Sequence, residues 1–207
     1  MSVLQKMWNE ADLDPAFAER DRCRKAGLPV RIAETKRLLI RETVLEDVPK
    51  LYEIRQQPGM SDYVEPMQPT LQKEMEFMEA YIHHMYAFYD FGLWTVLERE
   101  NGRIVGRAGL FPSKFLDEGV ELGYMVAAER QRRGYALECG RAILDYASDV
   151  LDLPEVHVLI HIRNRASIRT AGRLGFTEYE IIQKNRMEYR HMIWNFHALR
   201  KTEDEVV

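Results

Sequence analysis

The alternation of hydrophobic and polar positions predicts both strands and helices in this chain. Residues 119–127 (GVELGYMVA) carry apolar side chains at every second position, which is typical of a strand with two different faces. Residues 156–162 (VHVLIHI) show the same period of two. Between residues 136 and 151, small and apolar side chains recur at spacings of three and four, which predicts an amphipathic helix. The chain is therefore expected to be a mixed α/β protein.

Weaker signals of the same kind extend the prediction along the chain. Further strands are expected at residues 37–43, 92–100, 103–111, 176–183 and 187–196, and further helices at 45–57, 71–89 and 165–174. Asn101-Gly102 joins two of these strands, and this dipeptide is the strongest short hairpin signal because both positions tolerate a positive φ. The predicted order is β-α-α-β-β-β-α-β-α-β-β, without an internal repeat.

Composition divides the chain into three parts. Residues 1–34 are rich in charge, and a helix is expected there because Pro15 suits a first helical position and Gly27 a helix end. A partly ordered tail is the alternative for this extension. Residues 35–197 form the predicted domain, and residues 198–207 form a C-terminal tail whose last six residues, 202–207, are expected to be solvated.

Charge, hydrophobicity and cysteine content argue against several classes of protein. The 207 residues carry a net charge of -4, which argues against a general nucleic-acid or membrane-surface binder. No stretch approaches the roughly 18 apolar residues that span a bilayer. With two cysteines, a disulfide scaffold is not expected, and a cytoplasmic protein is predicted.

The segment 126–136 (VAAERQRRGYA), named here the cradle, lies between a predicted strand and a predicted helix. A turn at this place directs several backbone N–H groups into one concavity, and the helix N-terminus adds partial positive charge. Gly134 permits close approach of the main chain to a ligand. Residues 130–173 contain eight arginines against five acidic residues, so an anionic ligand is electrostatically favoured. These features predict a diphosphate site.

At this point the chain resembles the GNAT superfamily of N-acetyltransferases. The hexapeptide 131–136 (QRRGYA) matches its Q/R-x-x-G-x-G/A coenzyme A motif. Residues 121–124 (ELGY) upstream, and 164–168 (NRASI) with 174–176 (LGF) downstream, are similar to further blocks of the branch that contains the RimJ and RimL ribosomal-protein acetyltransferases. The resemblance covers about residues 35–196. It implies a mostly antiparallel twisted sheet, splayed between the fourth and fifth predicted strands, with helices on both faces.

The resemblance also implies where acetyl-coenzyme A would bind. The pantetheine arm would enter the slot between the splayed strands 119–127 and 156–162, and one backbone N–H there would polarise the thioester carbonyl. The residues that it assigns to the cofactor are Met125, Val126, Gln131, Arg132, Arg133, Gly134, Tyr135, Ala136 and Asn164. Asn164 could equally cap the following helix, and the two roles are compatible.

Two catalytic residues are proposed on the same basis. Glu121 would act as the general base for the amine, directly or through water, although a rim carboxylate paired with an arginine is the alternative. Many relatives donate a proton to the leaving thiolate from a tyrosine seven residues after the asparagine, but this chain has Ala171 there. Ser167 is the expected substitute, and a serine that bonds its own helix is the alternative.

The prediction is thus an N-acetyltransferase that transfers acetyl from acetyl-coenzyme A to a primary amine in a ternary complex. The acceptor could be a protein N-terminus, a polyamine, an aminoglycoside or another small amine. The alternative is a non-catalytic acyl-coenzyme A sensor. No metal site is predicted, since His157 and His161 share a strand face without a third ligand. The extension and the closing strands could build a homodimer.

Overall fold

The computed structural model describes residues 15–64, 66–116 and 119–196, and it confirms the mixed α/β class. The helices are α1 (Pro15–Lys25), α2 (Val48–Arg55), α3 (Leu71–Tyr89), α4 (Tyr135–Asp149) and α5 (Arg165–Leu174). The strands are β1 (Arg31–Glu34), β2 (Leu38–Arg41), β3 (Leu93–Glu98), β4 (Ile104–Pro112), β5 (Val120–Val126), β6 (Glu155–His161), β7 (Thr177–Lys184) and β8 (Met187–Asn195). Short 3-10 helices span Leu45–Asp47 and Ala128–Arg130.

One sheet contains all eight of these strands, in the order β1-β2-β3-β4-β5-β6-β8-β7. Every neighbouring pair is antiparallel except β5 and β6, which run parallel. That parallel pair meets at a single register pair, Glu121 with His157, whereas β4 and β5 pair over seven residues. The sheet is therefore splayed between β5 and β6, as the resemblance implied for the fourth and fifth predicted strands.

Strand β1 is the main difference between predicted and observed elements. Residues 31–34 were assigned to the helical extension, but they pair antiparallel with β2 at the edge of the sheet. Four residues are too few to show a period of two, and this strand is stabilised by its pairing with β2 rather than by a local pattern. The extension is helical at Pro15–Lys25, as predicted, whereas residues 1–14 and 197–207 lie outside the described residues.

The helices cover both faces of the sheet. Helices α4 and α5 pack on one face, where Cys139, Ile143 and Ala147 join the main hydrophobic core. Helices α2 and α3 pack together on the other face, and α2 contacts β4. A second, small cluster of Ile54, Met60 and Ala127 lies there. The two faces of β5 are thus covered by different pairs of helices.

Local chemistry explains where the helices end. Thr70 accepts a hydrogen bond from the Lys73 N–H at the start of α3, and α5 ends at Gly175 with φ +101°.

Within the described residues, no helix combines the length and apolar character needed to cross a membrane.

Candidate active site

The fork between β5 and β6 exposes backbone groups of β5. The N–H of Ala127 donates to the Val105 carbonyl at 2.8 Å, and the N–H of Ser113 donates to the Gly119 carbonyl at 2.7 Å. Because bonding direction alternates along an antiparallel strand, the odd-numbered residues of β5 bond toward β4. The even-numbered residues Tyr124 and Val126 therefore direct their backbone groups into the fork.

This alternation refines the predicted cofactor contacts on β5. Val126 presents its N–H to the fork, and its carbonyl accepts the Gln131 side-chain amide at 3.1 Å. Met125 directs its backbone toward β4, and its side chain lies on the α2–α3 face beside Ile54 and Ala127. For backbone pairing with an extended ligand, the fork offers Tyr124 and Val126 rather than Met125. The sequence alone did not reveal that the Tyr124 backbone faces the fork.

The N-terminus of α4 is open to a ligand. Gly134 occupies the N-cap with φ +81°, and no side chain caps the helix. The Glu138 N–H makes the first intrahelical bond, to the Gly134 carbonyl at 3.0 Å. The preceding amides of the first turn have no intrahelical acceptor, and the helix dipole adds partial positive charge there. Such an end suits a phosphate group, so the cradle fits the diphosphate of coenzyme A.

The buried carboxylate of Glu98 binds two residues of the cradle, Tyr135 and Arg130. The Tyr135 hydroxyl donates to Glu98 at 2.8 Å, and Arg130 lies 3.2 Å from the same oxygen. Asn101 donates to the other oxygen at 3.1 Å. Burial alone would raise the pKa of Glu98, but these hydrogen bonds and the Arg130 charge outweigh it, so its pKa is lowered. The predicted cofactor residue Tyr135 is therefore buried, and its side chain anchors the loop.

A second carboxylate ties the cradle to the β1–β2 turn. Glu138 accepts hydrogen bonds from the Thr35 hydroxyl at 2.6 Å and from the Arg37 Nε at 2.7 Å. Arg37 also donates to the Arg133 carbonyl at 2.9 Å. Burial would raise the pKa of Glu138, yet the bonds from Thr35 and Arg37 lower it overall. Contacts between residues 96 to 103 positions apart thus determine the shape of the turn.

The remaining cradle residues divide into inward and outward side chains. Gln131 turns back to Val126 and to the Met60 sulfur, 3.3 Å away, and so supports the loop. Arg132 and Arg133 are exposed, and neither forms an ion pair with another described residue. Two guanidinium groups thus remain beside the open helix end, where they favour an anion. Ala136 is half-buried in the first turn.

The opposite wall of the fork is the start of α5. Asn164 caps this helix by accepting the Ser167 N–H at 3.2 Å. The Tyr124 hydroxyl donates to the Ser167 carbonyl at 3.3 Å and so joins α5 to β5. Burial raises the pKa of Tyr124, with smaller opposing effects from its hydrogen bonds to α5. Ser167 is half-buried, and Ala171 is buried one helical turn further on.

Glu121 lies at the closed end of the fork. Its carboxylate is buried with 6% exposure, and it sits on the same face of the sheet as Met125. Five residue steps along β5 separate it from Val126, a distance of about 16 Å at ~3.3 Å per residue. A proton transfer between Glu121 and a group near Val126 would therefore pass through water. Its neighbour His157 belongs to a buried imidazole pair with His191, at 3.0 Å.

An aromatic wall, which the sequence patterns did not reveal, lines the α2–α3 face beyond the fork. It comprises Tyr63, Phe115, His161 and Tyr189, whose neighbouring ring centroids lie 5.3 to 5.8 Å apart. The four rings come from two loops and two strands, so no local period marks them. The wall lies on the face of the sheet opposite to the one on which α4 packs.

Metal ligands do not cluster in the part of the chain that the structure describes: no three His, Cys, Asp or Glu side chains converge there. The buried thiol of Cys139 lies next to the cradle helix, and burial raises its pKa to about 12. It is therefore a protonated core side chain.

Comparisons with known proteins agree with this architecture. YkkB, an uncharacterized protein of Bacillus subtilis strain 168, is 34% identical over 97 residues, which are 46% of this chain and 56% of YkkB. The match thus spans just over half the length of that curated relative.

Solved structures show the same fold at low sequence identity. RimL, a ribosomal alpha-N-protein acetyltransferase, superposes with a TM-score of 0.70 at 12% identity, covering 82% of this chain and 96% of RimL. Mycobacterium smegmatis RimJ, in complex with CoA-disulfide, superposes with a TM-score of 0.66 at 16% identity, covering 78% and 83%. The model of the acetyltransferase (GNAT) domain matches residues 37–177, more than half of the chain. The chain therefore belongs to the GNAT acetyltransferase family.

Proposed function

We propose that the protein transfers an acetyl group from acetyl-coenzyme A to a primary amine. The observation that carries this proposal is the uncapped N-terminus of α4, which lies at the open end of the β5–β6 fork. The open amides and the exposed Arg132 and Arg133 would bind the diphosphate. The backbone of Tyr124 and Val126 would orient the pantetheine arm. The thioester would thereby reach the face of the sheet that carries the aromatic wall.

The chemistry requires two proton movements. An amine must lose a proton to attack, because its pKa lies near ~8 for an α-amino group and ~10 for lysine. Glu121 would accept that proton through water. As the C–N bond forms and the C–S bond breaks, Ser167 would supply a proton to the departing sulfur. The Val126 N–H would stabilise the negative charge that develops on the carbonyl oxygen.

Thiol release from acetyl-coenzyme A in the presence of an amine panel tests the activity. We expect acetyl-coenzyme A to bind, and at least one amine to accelerate thiol release. Glu121→Gln and Ser167→Ala should each lower kcat by at least about 100-fold, the lower end of the range for general acid–base effects. Glu178→Gln and Thr177→Ala change matched groups on the outer strand β7 and should retain activity. Full activity in both site variants would refute the two assignments.

A non-catalytic sensor of acyl-coenzyme A is the second candidate. The buried alanine at position 171, where many relatives carry a tyrosine, favours it. Calorimetry would then show donor binding, while no amine would release thiol. If neither the donor nor free coenzyme A produced heat, both candidates would fail.

The remaining assignments stay predictions. The two free cysteines, Cys23 and Cys139, are consistent with a reducing cytoplasm. A homodimer, and the lack of nucleic-acid or membrane partners, are proposed on sequence grounds. Light scattering measures the molar mass in solution and so tests whether the protein is a homodimer.

A further inference from the structure

The aromatic wall borders the open end of the fork. Glu121 and His157 form the register pair at the closed end, and Met125 and His161 stand four residues further along the same two strands. His161 is the last residue of β6, and Val126, whose N–H points into the fork, is the last residue of β5. The wall therefore lies at the end of the fork where the thioester carbonyl is proposed to bind.

Tyr63 connects the two sides of this open end. The loop before it is fixed on the β5 side, because Gln57 accepts the Ala128 N–H at 2.9 Å and Met60 belongs to the small cluster at the end of β5. The Tyr63 ring then contacts the His161 ring at the end of β6, with the two centroids 5.3 Å apart. The wall thus extends from one side of the fork to the other.

The four rings of the wall form one accessible surface. Tyr63 and Phe115 are exposed, and His161 and Tyr189 are half-buried. Neighbouring rings already contact one another, with their planes tilted by 34° to 84°, so a ligand would lie on this surface rather than between two rings. A flat apolar group placed there loses contact with water and gains contacts with aromatic rings, and both effects are favourable.

The polar atoms of the wall are poorly suited to a polycation. The Nδ1 of His161 accepts the Arg163 N–H at 3.1 Å, so the neutral imidazole carries its proton on Nε2 and presents a donor there. In the part of the chain that the structure describes, no carboxylate lies within 4.0 Å of either His161 nitrogen. An ammonium group at the wall would gain only the attraction of the ring faces, without a charged partner.

We propose that the acceptor is an arylalkylamine, in which a short alkyl chain joins the reacting primary amine to an aromatic ring that packs on the wall. Tyr63 and Phe115 would contact this ring, because they are the exposed members of the wall. The inference rests on the proposed acetyl transfer and names its substrate class. It also disfavours polyamines, which carry further ammonium groups in place of a ring.

Matched amines test this inference on the wild-type protein. Benzylamine, 2-phenylethylamine and 3-phenylpropylamine vary the alkyl chain, propylamine lacks the ring, and spermidine is a polycation. We expect kcat/KM for the best arylalkylamine to exceed that for propylamine by about tenfold, since partial burial of a phenyl ring and its ring contacts together correspond to about this factor. Equal values for these two amines, or a preference for spermidine, would overturn the inference.

Variants then test the wall itself. Tyr63→Leu keeps an apolar side chain but removes the ring. It should lower the ratio of kcat/KM for the arylalkylamine to that for propylamine by about 2- to 10-fold, the range of ring–ring contacts, while calorimetric binding of acetyl-coenzyme A is retained. Tyr63→Phe keeps the ring and should keep the ratio.

Tyr179→Leu is the matched control for these variants. Tyr179 is also exposed and also contacts a histidine ring, that of His191 at 5.2 Å, but it lies on β7 outside the wall. The control should keep the wild-type ratio. Because Tyr63 is exposed, its variants are expected to fold. An unchanged ratio in Tyr63→Leu would refute the contact between the wall and the acceptor.

The outcomes separate the two levels of the proposal. If no amine in the panel releases thiol, acetyl transfer itself fails. If propylamine and spermidine are acetylated as efficiently as the arylalkylamines, acetyl transfer stands and the role of the wall fails.

Discussion

At the scale of single residues, the proposed donor site depends on the backbone conformation of Gly134. Its φ of +81° begins α4 in a left-handed conformation, which costs another residue roughly 1–2 kcal/mol. A β-carbon there would meet only Arg37 Nη2, at 3.5 Å. A side chain at this position is therefore disfavoured by the positive φ and not by a lack of space. Gly134→Ala should therefore weaken acetyl-coenzyme A binding by about tenfold, because ~1.4 kcal/mol corresponds to that factor. Titration calorimetry measures it.

Gly27→Ala is the matched control for this prediction. Gly27 has φ +70°, its β-carbon would meet nothing within 4 Å, and it lies after α1, outside the cradle. The control should lose similar stability and keep donor affinity. If both variants bind the donor like the wild type, the open amides of α4 are not the main donor contact.

At the scale of elements, α1 is held by a partly buried ion network. Arg20 and Arg24 both pair with Asp90, the C-cap of α3, and Arg24 also pairs with Glu42 at 2.7 Å. Burial raises the pKa of Glu42 despite the opposing effect of Arg24. These contacts connect the N-terminal extension to the end of α3 and to Glu42, the residue that follows β2. The extension is thus an integral part of the packed domain over residues 15–25.

Asp90→Asn tests this anchoring. Asparagine tolerates the φ of +57° at this position, so the change removes charge without a new backbone strain. It leaves Arg20 without its carboxylate, and breaking such a pair costs about 3 kcal/mol. Urea unfolding measures the loss. Lys25→Ala removes the exposed pair of Lys25 with Asp21 and should change stability by less than about 0.5 kcal/mol. Equal midpoints for both variants would contradict the anchoring role.

Element positions were predicted well where the signal is local. Helix α3 has the predicted bounds, and α4 and the strands of the fork differ by one or two residues, because amphipathic period and caps are properties of neighbouring residues. Strand β1 was not predicted, since only pairing with β2 stabilises it.

At the scale of the whole molecule, a histidine pair links three strands beyond the fork. His157 on β6 and His191 on β8 lie 3.0 Å apart, with Glu155 at 3.2 Å from His157 and Glu180 on β7 at 3.3 Å from His191. Burial lowers the pKa of His157, and the nearby His191 lowers it further. Glu155 opposes this shift but does not outweigh it. The folded protein therefore favours a neutral His157.

Because of this histidine pair, we expect the folded protein to become less stable as the pH falls below ~6.5. The pKa of His157 is lower in the folded protein, so below pH ~6.5 the unfolded chain binds a proton that the folded chain does not. The free energy of unfolding should then fall with decreasing pH, by at most about 1.4 kcal/mol per pH unit for one proton. Urea unfolding between pH 7.5 and 5.5 measures the slope.

Two variants isolate the histidine contribution to that slope. His157→Asn should flatten the slope, because the titrating group is gone. His84→Asn replaces an exposed histidine on α3 and should retain the slope of the wild type. An identical slope in His157→Asn would assign the acid sensitivity to other groups.

The sequence by itself determined the family and every described helix and strand except β1, because each of these depends on neighbouring residues: a period of two or 3.6, a glycine at a helix start, a motif of six residues. Only the tertiary structure decided which backbone groups of β5 face the fork, that Gln131 bonds back to Val126 while Tyr135 is buried against Glu98, and that the aromatic wall lies on the α2–α3 face. Those features depend on strand register and on contacts between distant segments, and neither is a property of adjacent residues.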